Sequence, residues 1–398
     1  MRSEHWIAKN LGVMVGFAGL LGGLSEMQLS SSKTARRKLA FAVMTLAAIH
    51  YLAAQASTPP AMDSYRFTIA ANPVTTGPLP GHGLAQHPFL YCGEFDYVHP
   101  DQTMYLVRDG KVAWTYSIPT NLMVYGKSEM AELGDCTRFS NGDILFSYRW
   151  GARIVTPEKK IIWDYHAAPN TEIHSAQPAG KNRVLIAQNG APTKLFLINT
   201  VTGNVEKELA LPTPYPNSAH GQVRRAHLTK AGTFLVGLME EHRVAEFDAD
   251  GKEVWSFACP DTWTGPRPKN GGTISAWDAI RLKNGNTLIS GDEYGYVLEV
   301  NPKGEIVWEL GKNDLPGYPL DVVQEIGRLD NGNTVISNWV AGNVKSDNWP
   351  STIQIIEVTP AKKVVWALQQ WNNPDLGPAS SIQLLDQGGA PENGDLQR

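Results

Sequence analysis

The 398-residue chain has only three cysteines and no Cys-x-x-Cys pair, which removes the usual thiolate-zinc and dithiol redox motifs. It also lacks His-Glu-x-x-His, Gly-x-Ser-x-Gly and the Gly-rich loop that cradles phosphates. The common metalloprotease, hydrolase and nucleotide-binding signatures are therefore missing. Positive charge is scarce as well. The chain carries a net charge of −4, and outside residues 1–56 it holds 29 Lys/Arg against 37 Asp/Glu, a net −8. An acidic body of this kind offers no general surface for nucleic acid or an anionic membrane, both of which need a positive field. Any anion site must be local.

The odd cysteine count leaves at least one of Cys92, Cys136 and Cys259 unpaired within a monomer. A Cys92–Cys136 disulfide stays open as one reading. Packing of all three as small hydrophobes is the other.

A leader is present. Arg36, Arg37 and Lys38 precede an apolar stretch, Leu39–Leu52, and Ala54-Gln55-Ala56 then supplies small residues at the positions a signal peptidase reads. The stretch falls short of the about 20 residues that span a bilayer. Residues 1–56 thus read as a leader whose removal exports the protein to the periplasm or beyond, with no stable membrane insertion after cleavage. Met27 is a second candidate start, which would make residues 1–26 an extension; an uncleaved anchor is the alternative.

The strongest internal signal is a turn, an apolar pair and a tryptophan, ending at Trp114, Trp163, Trp255, Trp308 and Trp366, with a Trp-less copy at Thr202–Lys207. The copies lie about 45–58 residues apart, the length of a four-stranded propeller blade. Earlier in the units, Asn141-Gly142, Asn284-Gly285 and Asn331-Gly332 lead into β-branched runs and predict two-residue hairpin turns between first and second strands. Together these features predict an all-β fold: a single β-propeller of about six four-stranded blades, covering residues 87–386. Blade one runs from His87 to about Pro119, and blades two to six cover roughly 134–169, 173–212, 222–260, 276–312 and 322–371. The strand at Ser380–Leu385 is expected to return to blade one and close the ring, which removes an exposed edge. Residues 57–86 read as a linker and 387–398 as a disordered tail.

The Gly-x-x-x-Trp signature at blade length resembles pyrroloquinoline-quinone-like propeller repeats. The Asn-Gly-Asn-Thr-Leu-Ile-Ser hairpin is similar to those of bacterial arylsulfotransferase-like propellers. The resemblance covers about His87 to Leu385 and speaks to architecture rather than activity. It implies that each repeat Trp, Trp308 among them, is buried between neighbouring blades.

Aligning the units on their second strands places Gly134-Asp135, His174-Ser175, Arg224-Arg225, Trp277-Asp278 and Gln324-Glu325 at one early position of the innermost strands. Propeller ligands gather where those strands converge. The densest patch, His220 to His227 with Arg224 and Arg225, suggests a local receptor for carboxylate, sulfate or phosphate, with His174 on the opposite wall. The competing reading makes Arg225 a structural partner of Asp135, Asp278 or Glu325. Trp277-Asp278 and Gln324-Glu325 suit a hydroxylated ligand, through ring stacking and carboxylate bonds. His99 and His242 fall in loops and read as solvated. No metal motif is recognised, and neither metal nor cofactor is expected.

Three function classes follow. One is a propeller binding a small molecule or carbohydrate, sulfated or uronate-bearing, at its central face, with a protein partner there as a variant. The second, implied by the arylsulfotransferase resemblance, is sulfuryl transfer through a channel histidine, His174 or His220. The third, a quinoprotein dehydrogenase, is weakest: such rings usually have eight blades, and this chain has length for about six, with no vicinal Cys pair and no Asn-Asp pair placed for calcium. The leader generates the first testable expectation. N-terminal sequencing of exported protein should find a start near Ser57, and an intact Leu39–Ala56 segment would contradict it.

Overall fold

In the computed structural model, which describes residues 77–260, 275–291, 295–311 and 314–394, short strands and tight turns dominate. Blade one contains β1 (Phe89–Gly93), β2 (Asp101–Arg108) and β3 (Lys111–Pro119), and a small hairpin follows, β4 (Asn121–Val124) and β5 (Lys127–Met130). Blade two is β6 (Leu133–Arg138), β7 (Ile144–Tyr148), β8 (Gly151–Val155) and β9 (Ile161–His166). Blade three is β10 (Glu172–Pro178), β11 (Arg183–Asn189), β12 (Lys194–Asn199) and β13 (Val205–Ala210). Blade four is β14 (Val223–Leu228), β15 (Phe234–Leu238), β16 (Arg243–Phe247) and β17 (Glu253–Ala258). Blade five is β18 (Ala276–Arg281), β19 (Thr287–Gly291), β20 (Val297–Val300) and β21 (Ile306–Leu310). Blade six is β22 (Val322–Arg328), β23 (Thr334–Trp339), β24 (Ile355–Val358) and β25 (Val364–Leu368), and β26 (Ala379–Leu384) comes last.

Each blade is a four-stranded antiparallel meander, and β26 supplies the innermost strand of blade one in the order β26-β1-β2-β3. Leu384 pairs with Phe89 and Ser381 with Cys92. The architecture is thus the six-bladed ring expected, closed by its C-terminal strand. The leader, the signal-peptidase site, residues 57–76 and residues 395–398 lie outside the described residues. Among the described residues no helix is long and apolar enough to cross a membrane. Cys92, Cys136 and Cys259 are buried free thiols, the packing alternative rather than the disulfide.

Two local expectations change. The Asn-Gly turns are three-residue loops, not two: Phe139 N–H donates to Asp143 O and Gly142 N–H to Phe139 O, and the same pattern recurs at Leu282–Asn286 and Leu329–Asn333. Only the glycine is left-handed, with φ of 99° at Gly142 and 88° at both Gly285 and Gly332. This is the type I turn plus left-handed residue that three-residue hairpins use. Residues 387–394 also carry structure: Pro391–Asn393 form a 3-10 turn with Pro391 buried, and Glu392 accepts a bond from Ser140 N–H of the blade-two hairpin.

The hydrophobic core lies between blades. Val297 and Leu310 of blade five pack with Ile326, Ile336 and Ile356 of blade six, and Leu90, Met104 and Ile118 of blade one with Cys136 and Phe146 of blade two. The repeat tryptophans sit at these seams, and the indole N–H groups of two of them cross to the next blade. Trp114 donates to Pro157 O and Trp308 to Pro360 O, each at 2.8 Å. Guanidinium groups of the following blade cover two of the rings, Arg281 over Trp255 at 5.1 Å and Arg328 over Trp308 at 5.2 Å. Contrary to the expectation of uniform burial, Trp114, Trp163, Trp255 and Trp308 are half-buried, since they lie on outermost strands with one edge toward solvent. Trp366 alone of the five is fully enclosed, at 0 % exposure. It packs on Phe89 and Val107 and donates to Gly83 O at 3.0 Å, joining blade six to blade one.

That difference generates a test. Trp366→Ala should cost about 3–5 kcal/mol, the range for emptying a fully buried aromatic site, and Trp308→Ala clearly less. Chemical-denaturation midpoints of the two variants give the comparison, and equal losses would contradict the seam assignment.

Candidate functional site

Every innermost strand carries a bulge at the same level. The register shifts between Leu133 and Asp135, Ile173 and Ser175, Val223 and Ala226, Ala276 and Asp278, and Val323 and Glu325. Blade one shifts at Ser380 in the same way. A bulge leaves one residue unpaired and re-aims the side chains beside it. Here it produces two tiers around the ring axis.

The lower tier is a closed charge network. Arg225 Nη1 lies 2.7 Å from Asp135 Oδ1 and its Nη2 3.6 Å from Glu325 Oε2. Nε and Nη2 donate to the carbonyls of Gln324 and Ser380 at 3.2 and 2.9 Å. Gln177 donates to Asp135, and Ile382 N–H to Glu325. His227 Nε2 meets Asp278 Oδ1 at 2.7 Å. Arg225 is 4 % exposed. Burial works against its charge, but Asp135, then Glu325 and Asp278, more than offset this and raise its pKa. Asp135, Arg225, His227, Asp278 and Glu325, all read from the sequence as ligand-binding candidates, are thus held on one another. Arg225 takes the structural-partner role rather than facing an outside anion.

The upper tier joins His174, His220 and Arg224, all candidates from the sequence, to Glu94, Glu132, Arg149 and Glu172, which sequence reasoning did not single out. Arg224 Nη1 bonds His174 Nδ1 at 2.6 Å, and Nη2 bonds His220 Nε2 at 2.8 Å. A guanidinium only donates, so both imidazoles accept from it and carry their protons on the other nitrogens. Those protons, on His174 Nε2 and His220 Nδ1, both point at Glu172 Oε2, at 3.0 and 2.9 Å. Burial first, then the charge of Arg224, pushes the His174 pKa well below that of a free imidazole. Burial also acts on Glu172, but its two histidine bonds outweigh this and hold its carboxyl below the usual range. Arg149 ties Glu172 to Glu132, with contacts of 2.6 and 2.9 Å. Glu94 Oε1 lies 3.6 Å from Arg224.

His174 and His220 are therefore neighbours, with ring centroids 5.0 Å apart, not residues on opposite walls. Trp277 does not offer an open stacking face: Arg224 lies over its ring at 4.8 Å, and the indole is 6 % exposed. A cavity of about 10 Å³ opens among Glu94, His174, Arg224, Trp277 and Gln324, room for about one water-sized group. His99 and His242 are not simply solvated. His99 Nδ1 pairs with Asp96 at 2.7 Å, and it lines a cavity of about 340 Å³ with Asp101, Tyr105 and Asp375. His242 meets Ser275 Oγ at 3.3 Å.

One signal could have found two missed residues. Glu132 and Glu172 each stand two positions before a bulge residue, so a second column two places upstream of the one that exposed His174 and Arg224 contains them. Glu94 and Arg149 come from the loop after β1 and the β7–β8 loop, outside that column, and only the closed ring brings them in.

The lower tier generates a prediction. Arg225→Met leaves Asp135 and Glu325 buried without their partner and should cost about 3–5 kcal/mol. Arg225→Lys should recover only part of this, because one ammonium cannot replace the planar fork. Urea midpoints for the two variants measure both effects, and a neutral Arg225→Met would mean that the network contributes nothing to stability.

No family profile matches the chain, and no curated protein matches it. Among solved structures it is similar to a protein of unknown function from Bacteroides caccae, at 22 % identity and a TM-score of 0.60, over 74 % of this chain and 97 % of that one. It is also similar, at lower scores, to virginiamycin B lyase from Staphylococcus aureus (14 % identity, TM-score 0.42, 60 % of this chain and 70 % of that one). A streptogramin B lyase gives 14 % identity and a TM-score of 0.45, over 75 % and 86 % of the two chains. At these identities the likeness is one of fold, and the fold is a β-propeller.

Proposed function

We propose that this chain is an exported binding propeller that takes an oxygen-rich small molecule, a carbohydrate above all, at the upper tier of its axis. The observation that carries this reading is a set of donors without acceptors. Arg224 Nε, Trp277 Nε1 and Gln324 Nε2 are buried, wall the same cavity and have no hydrogen-bond partner among the described residues. Arg and Trp side chains have no acceptor, so two of the three must be satisfied by an oxygen from outside. Buried donors left bare cost about 1–3 kcal/mol each.

Charge refines the ligand. Glu94, Glu132 and Glu172 outnumber Arg149 and Arg224 in this tier, which favours a neutral hydroxyl or carbonyl over a strongly anionic group. Sulfated or uronate-bearing sugars would place their charge away from the axis. The cavity admits one ligand oxygen, and the rest of the molecule would lie on the face above it.

Sulfuryl transfer fits less well. A nucleophilic His174 needs a free ring nitrogen, and both of its nitrogens are engaged, one by Arg224 and one by Glu172.

Trp277→Phe keeps the ring and removes the N–H. In calorimetric titrations against neutral, sulfated and uronate-bearing oligosaccharides, it should weaken the ligand by about 0.5–1.5 kcal/mol, one net hydrogen bond, with unchanged melting temperature. Wild-type affinity in the variant for every ligand bound would remove Trp277 from the site, and no binding at all by the wild type would sink the reading.

A further inference from the structure

The geometry points to a divalent transition-metal site formed by Glu132, His174 and His220, in which Arg224 is a resident cation that the metal displaces. Three observations converge on it. Glu132 Oε2 lies 4.0 Å from His174 Nδ1 and 3.9 Å from His220 Nδ1, and one ligand atom from each residue falls within 4.8 Å of the others. Bonds of about 2.0–2.1 Å from a tetrahedral ion would hold such atoms about 3.3 Å apart, so the site needs a small contraction and no rearrangement of strands.

The second observation is that carboxylate oxygen itself. Glu132 is 2 % exposed. Arg149 anchors its Oε1, while Oε2, turned toward both imidazoles, has no hydrogen-bond partner among the described residues. A bare carboxylate oxygen in the interior is unfavourable unless a cation or donor meets it.

The third is the protonation pattern. His174 already presents a lone pair at Nδ1 and gives its Nε2 proton to Glu172, the carboxylate–histidine arrangement that orients and strengthens a metal-bound imidazole. For His220 to bind through Nδ1, its proton moves to Nε2, into the space that Arg224 Nη2 leaves. Arg224 already lies over the Trp277 ring at 4.8 Å with Nη1 3.6 Å from Glu94 Oε1, so a swing that releases both imidazoles can keep those two partners.

Charge agrees with the exchange. Three carboxylates against two guanidiniums leave the tier at −1, and with Arg224 drawn to Glu94 the remaining Glu132, Glu172 and Arg149 still carry −1, which favours an added cation. Two imidazoles and one carboxylate suit zinc, cobalt or a similar ion better than magnesium or calcium, which prefer oxygen alone. A fourth coordination position would face the Arg224–Trp277–Gln324 cavity. Only that last step rests on the ligand-binding reading above.

The test is titration of metal-stripped full-length protein with zinc by calorimetry and with cobalt by visible absorption. One ion per chain is expected, with a cobalt spectrum of low coordination number. Glu132→Gln, nearly isosteric, should weaken zinc at least about 100-fold, and Glu172→Gln about 10–100-fold, the usual range for a supporting partner. Arg224→Gln should bind zinc several-fold more tightly, because the competing cation is gone. Circular dichroism and melting temperature report folding of each variant.

No saturable binding by wild type would overturn the site. So would Glu132→Gln without effect, weaker binding by Arg224→Gln, or loss of the ion on substituting the exposed His166. The ligand reading fails separately: Trp277→Phe should alter oligosaccharide binding in metal-free protein and leave zinc affinity unchanged, while Glu132→Gln should do the reverse.

Discussion

A positive charge buried on the axis constrains everything else in this ring. Arg225 can exist there only because groups from four other strands reach it or its carboxylate partners: Asp135 from β6, the Gln324 carbonyl and Glu325 from β22, the Ser380 carbonyl from β26, and Gln177 of β10 behind Asp135. Each of those groups is at the right height because its strand bulges at the same level. The repeated bulge is therefore a shared device that delivers polar groups to the axis while the flanking residues pack between blades. In the lower tier the charges are thereby paired within the protein.

The upper tier differs in kind. Its carboxylates, imidazoles and guanidiniums are also linked, but Arg149 Nε, Glu132 Oε2 and the three donors around the small cavity, Arg224 Nε, Trp277 Nε1 and Gln324 Nε2, have no hydrogen-bond partner among the described residues. Evolution of a stable core removes such orphans, because each is a standing cost. Three of them, on Arg224, Trp277 and Gln324, stand at the bulges of innermost strands and converge on one small cavity.

Much of this was legible in the sequence, and the reason is periodicity. A repeating turn, apolar pair and tryptophan give the blade length, and aligning second strands brings the bulge residues into one column, because one backbone geometry is used in every blade. Arg224 and Arg225 show where that logic stops. They are adjacent in sequence and share a column, yet one is walled in by carboxylates and the other bridges two histidines; which fate each meets depends on the neighbouring blades. Glu94 and Arg149 were illegible for the same reason. They belong to connecting loops after β1 and β7, and ring closure alone makes them neighbours of residues far away in the chain. Burial of the repeat tryptophans was overestimated because a shared motif does not imply a shared solvent boundary: Trp366 is covered by the segment around Gly83, a cover that Trp308 does not have.

The strand that closes the ring also sets an order of events. Cys92 and Ser380 touch across 288 residues of chain, so β1 stays an open edge during synthesis until β26 has emerged. Before that moment Arg225 lacks the Ser380 carbonyl and Glu325 lacks the Ile382 amide. A nascent chain can thus assemble blades two to six as neighbours while its axis remains electrostatically unfinished. The finished ring forms in a final step that couples the two ends of the propeller.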